Sequence, residues 1–185
     1  MGYFVKMLCQ LILSPVHGWN DVSHDAVSPG RIAKYGFYPL IAVAALAYFL
    51  QGVYHPGYPF SYMVQRAIVM FVSYFVSYYV AQFVFSATAH RYVMTEPSDK
   101  HNCTFILYSL SILALATLVE NCIPIDMPVM EFVAIYVALV MFRGTKYMAV
   151  FPDRTGAFML MSIAAVLIPP FVISFLFNLV IPSPF

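Results

Sequence analysis

Apolar and polar positions along the 185-residue chain alternate on two scales, a short helical pattern at the start and then long apolar runs separated by brief polar turns. The longest run lies between Arg66 and the pair His90 and Arg91. Its 23 residues, 67–89, would extend about 34 Å as a helix, enough to cross a hydrocarbon core of about 30 Å with modest tilt. This stretch predicts a transmembrane helix over 62–90, and we take it as the element that organises the chain. Similar runs predict further spans at about 38–53, 103–120, 128–150 and 157–181. The turn residues His55, Pro56, Gly57 and Pro59 separate the first two. Pro169 and Pro170 must bend or loosen the last, since neither supplies a backbone N–H.

The leader reads differently. Phe4, Met7, Leu8, Leu11 and Ile12 recur at helical spacing, with Lys6 and Gln10 on the other face, which predicts a helix lying flat in the membrane surface. Pro15 interrupts this run and no small-residue cleavage site follows, so it reads as retained rather than as a secretory signal. Ser14 is placed to cap a second short helix, with Pro15 at its first position and Trp19 on one side. Pro15 and Trp19, the latter the only tryptophan, are expected to anchor the leader at the interface.

Composition agrees with this pattern: 62% of residues are hydrophobic, 9% charged, and mean hydropathy is +0.82, far from the quarter charged of soluble domains. A net charge of +1 gives no field that would attract nucleic acid. The expected fold class is an all-α polytopic membrane bundle of five transmembrane helices, with an interfacial leader over 1–35 and a membrane domain over 36–185. Eight of the nine Lys and Arg residues fall in the leader, after the second span, and from Arg143 onward at the end of the fourth span and the link that follows it; Arg66 is the exception. The positive-inside rule therefore puts the N-terminus in the cytoplasm.

Candidate chemistry is sparse. No nucleophile elbow, zinc-protease, dinucleotide or P-loop motif occurs, so no enzymatic activity and no cofactor is expected. Cys9, Cys103 and Cys122 form no close pair. His17, His24, His90, His101 and Cys103 share the predicted cytoplasmic face, but lack the tight spacing of metal ligands and read as polar residues at helix ends. Asn102, Cys103 and Thr104 match a glycosylation pattern on that same side, which discounts it. The 17% aromatic content reads as helix packing, with an aromatic-lined lipid or isoprenoid pocket as the alternative.

Two features remain. Ser73, Ser77 and Ala81 recur every fourth position and form a stripe on which another helix could dock. Only eleven residues lie between Glu131 and Arg143, about 16 Å of helix, so both charges cannot reach water at opposite membrane faces. Glu131 is therefore expected to point inward near Arg66, with Glu120 and Asn121 at a similar level, as an intramembrane polar cluster.

The Pro15, Val16, His17, Gly18, Trp19 element, the five spans, and a link containing Gly144 before a proline-bent last span together resemble the bacterial branch of the Yip family, the Ypt/Rab-interacting membrane proteins. The resemblance implies a five-span protein of the bacterial inner membrane with a scaffold or trafficking-type role. Its partners would be membrane lipids, further copies of itself or other membrane proteins. The acidic leader element of eukaryotic members is missing, so small-GTPase binding does not carry over. The alternative is a small transporter or channel that uses the polar cluster near the outer leaflet.

Overall fold

Backbone hydrogen bonds cannot be left open in lipid, and the chain meets that requirement with helices. The computed structural model describes residues 2–25, 27–94, 98–123 and 132–181. Among them we number seven helices: α1 (Gly2–Leu13), α2 (Pro15–His24), α3 (Pro29–Tyr54), α4 (Phe60–Arg91), α5 (Asp99–Cys122), α6 (Val133–Arg143) and α7 (Pro152–Val180). Helices α3, α4, α5 and α7 are each long and apolar enough to cross a membrane, the build of an integral membrane protein. The eleven residues of α6 reach about 16 Å. The expected start of its span, 128–131, lies outside the described residues.

Several boundaries move from their expected places. Helix α3 begins at Pro29, well before residue 38, because Arg31 and Lys34 ride on the first turns of the same helix and do not end it. Helix α6 stops at Arg143, so the expected helix over 128–150 does not extend to its end. Residues 144–149 instead make turns, and Val150 pairs antiparallel with Val93 in an isolated bridge. That bridge joins the loop after α4 to the one before α7, through Met94 N–H to Ala149 O and Phe151 N–H to Tyr92 O, both 2.9 Å.

The prolines inside the spans are absorbed in the same way twice. A π-helical turn, Ala33–Phe37, sits just before Pro39, and another, Ile163–Leu167, just before Pro169 and Pro170. A proline ring collides with the carbonyl four residues earlier, and in each case that carbonyl lies within the widened turn. The loosening expected in α7 is thus a local change of hydrogen-bond register.

Helix α5, and not α4, is the centre of the bundle. Burial covers 72% of its most apolar window against 44% for α4, and every residue from 102 to 114 is buried. It packs against α3, α4, α6 and α7, and α1 also reaches it. The length of an apolar run reports membrane thickness, whether lipid or protein covers the helix, so α4 owes its long run partly to an outward face. Ile68, Val76, Val80 and Phe83 stand exposed on that face. On the opposite face Ser73, Ser77 and Ala81 are all buried.

Candidate functional site

The two ends of the bundle are built from different chemistry. At the leader end, α1 does not lie flat with its apolar face in lipid. Phe4, Met7, Leu8 and Leu11 are buried against the protein's own helices, because α1 folds back on α2 and both cap the bundle. Gly18 permits this: a Cβ there would stand 2.8 Å from the Leu11 Cα, so any larger residue would push the two helices apart. Gln10 donates to Asp21, Tyr3 OH donates to Asp25 at 3.1 Å, and Tyr136 OH on α6 donates to the Ile12 carbonyl. Ser14 holds the N-cap position of α2, with Pro15 in the first turn, but makes no side-chain capping bond.

Trp19 is the centre of this end, and it is not an interfacial anchor. Only 2% of it is exposed. Its ring is stacked between Phe105 and Tyr147, each 5.2 Å away centre to centre, with the Tyr108 edge at 6.4 Å. Its Nε1–H donates to the Val140 carbonyl at 2.9 Å. The interfacial reading failed because a tryptophan that needs one polar contact and much apolar area is satisfied equally by a headgroup or by a helix carbonyl beside three aromatic rings. Burial raises the pKa of Tyr147 to about 12, and burial with the Asp25 hydrogen bond does the same for Tyr3.

At the far end, α3, α4, α5 and α7 enclose a polar cleft of about 200 Å³. Arg66, Glu120, Tyr48, Ser73, Tyr74 and Thr117 line it. The structure thus brings two of the four residues of the expected cluster to one cleft, and Asn121 is buried next to the Tyr48 hydroxyl. Glu131 lies outside the described residues. Arg66 Nε donates to Tyr62 OH at 3.0 Å and its NH1 to Asn178 Oδ1 at 3.2 Å, tying α4 to α7. Among the described residues the ion pair within 4.0 Å is Arg154 with Asp153, so Arg66 and Glu120 share the cleft without touching. Tyr74 OH and Thr117 Oγ1 are 2.9 Å apart, while Ser73 Oγ is buried without a hydrogen bond among the described residues.

Between the two ends the bundle is closely packed and mostly apolar. The nine residue steps from Tyr108 to Thr117 rise about 13 Å along α5. Leu110 and Ala114 are fully buried in that interval, and Phe37, Ile41 and Ala81 from the neighbouring helices are buried as completely. Ser109 and Ser111 donate back to the Phe105 and Leu107 carbonyls of their own helix.

The histidines expected on one face do not converge: among the described residues no three His, Cys, Asp or Glu side chains gather to hold a metal. His101 instead lies against the Tyr147 ring at 5.0 Å. Sequence reasoning missed Tyr48, Tyr74 and Thr117 as cleft residues, since hydroxyls spaced along three apolar helices carry no local signature. No protein-family model, curated protein or solved structure matches this chain.

Proposed function

We propose that the protein is a non-enzymatic membrane scaffold of five spans, with its N-terminus and docked leader in the cytoplasm. The observation that carries this reading is the fully buried layer around Leu110 and Ala114, which separates the cleft at Arg66 from the leader end. A conduit needs a connected line of polar groups at membrane depth, and here the hydroxyls of Ser77, Ser109 and Ser111 are buried singly and donate back to carbonyls of their own helices. Eight of nine basic residues lie toward the leader end, in support of a cytoplasmic leader and an odd number of crossings. Helix α6 would supply the fifth crossing together with residues outside those described.

The Yip-type reading rests on the same leader. Pro15 opens α2 and Trp19 closes on the bundle, so the spacing of that element has a structural use. In this reading the protein resides in the bacterial inner membrane and works through helix and leader contacts with lipids, with other copies or with other membrane proteins. The polar cleft at Arg66 supports the alternative, a small transporter, and a liposome flux assay separates the two. For topology, Tyr58→Cys and Lys100→Cys, each in a background without the native cysteines, should react with an impermeant maleimide from opposite sides. Labelling of both from one side would refute the five-crossing arrangement, and proton or ion flux above empty liposomes would refute the scaffold.

A further inference from the structure

A second cleft, of about 690 Å³, opens at the leader end between α2, the end of α6 and the start of α7. Its volume lies in the range of small-molecule sites, roughly 300 to 1,000 Å³. Arg143 and Lys146 line it, with His17 and Asn20 across from them on α2. Neither Arg143 nor Lys146 has an ion-pair partner among the described residues. Among the described leader-end carboxylates, Asp21 accepts from Gln10, Asp25 accepts from Tyr3, and Asp153 lies 3.8 Å from Arg154. None of the three lines the cleft.

We propose that this cleft binds the phosphate of an anionic phospholipid headgroup. Arg143 and Lys146 supply the charge, and the side chains of His17 and Asn20 line the facing wall. The rim points to a ligand that carries acyl chains. Val16 and Phe142 line the cleft while remaining about half exposed, and Leu13, at the end of α1, is 85% exposed. A soluble ion gains nothing from such a rim, whereas a lipid covers it. Cations at the ends of spanning helices are where anionic headgroups lie in a bilayer. The inference requires the chain to cross a membrane but not that the leader faces the cytoplasm, so it fails or stands separately from the topology above.

Trp19 also lines the cleft and reports on it directly. Titrating the detergent-solubilised full chain with dihexanoyl phosphatidylglycerol should give a saturable change in tryptophan emission, and dihexanoyl phosphatidylcholine should give none. The Arg143→Gln, Lys146→Gln double variant should bind about thirtyfold more weakly, each charge near an anionic headgroup being worth about a factor of five. Lys6→Gln with Lys34→Gln removes two exposed leader-end charges that do not line the cleft, and should leave binding within about twofold. Glycerol 3-phosphate added without lipid tests the chain contribution: no response supports a lipid, and saturation as tight as with phosphatidylglycerol overturns the lipid assignment. Equal losses in the two double variants, or a response to phosphatidylcholine, would overturn the site.

Discussion

The leader end and the far end hold themselves together in opposite ways. At the leader end Trp19, Phe105, Tyr108 and Tyr147 interlock, and the single polar demand of the indole is met by a helix carbonyl. At the far end the links run through long side chains, Arg66 to Asn178 and Gln65 Nε2 to the Ile181 carbonyl, both exposed. Packed rings lose apolar burial and contact outright when one is removed, while exposed polar links exchange with water at little cost. The leader end should therefore be rigid and sensitive to substitution, and the far end compliant and tolerant.

The largest test of this contrast is Trp19→Ala, which should cost about 3 to 5 kcal/mol of stability in detergent by removing a fully enclosed aromatic side chain. Arg66→Gln, in contrast, should cost less than about 1 kcal/mol, the range of partly exposed hydrogen bonds. Urea or thermal unfolding of both variants measures the difference, and equal losses would break the comparison.

Much of this arrangement was legible in the sequence, but its partners were not. The apolar runs located α3, α4, α5 and α7 because helix length in a bilayer is set by thickness, a one-dimensional quantity. The face of α1 that carries Phe4, Met7, Leu8 and Leu11 was equally clear. Its docking on protein instead of lipid was not, because an amphipathic pattern records that a face is buried and not what buries it. Gly18 was the available signal: a glycine inside a short helix, one turn before Val22, marks a close approach by another backbone. The far-end cleft could be anticipated only through its charges, Arg66 and Glu120, since a charge in an apolar run is conspicuous and a tyrosine hydroxyl is not.

A second, smaller contrast compares glycines. At Gly144 a Cβ would lie 2.7 Å from the Phe105 ring and 2.8 Å from that of Trp19. Gly144→Ala should cost about 1 to 3 kcal/mol through overpacking, with no loss of helix content. A Cβ at Gly57, in the far-end turn, would meet no neighbour within 4 Å among the described residues, so Gly57→Ala should be close to neutral. Melting of the two variants in the same detergent compares them.

The smallest effect is confined to alkaline pH. The folded protein holds Tyr3 and Tyr147 neutral up to about 12, above the ordinary value of 10. Their contribution to leader docking is fully present below pH 10 and is lost as the pH rises toward 12, where Tyr3 would lose the proton it donates to Asp25 and Tyr147 would ionise against the Trp19 ring. Emission from Trp19, stacked on Tyr147, should change over that window, and Tyr147→Phe should reduce the change.

The central claim, that the leader is packed into the bundle, is tested most directly by the accessibility of the one tryptophan. In vesicles of brominated phosphatidylcholine, with acrylamide added from the aqueous side, Trp19 of the full chain should be protected from both quenchers, because its ring lies between Phe105 and Tyr147. Strong quenching by the brominated lipid would place Trp19 in the membrane interface and contradict the docked leader.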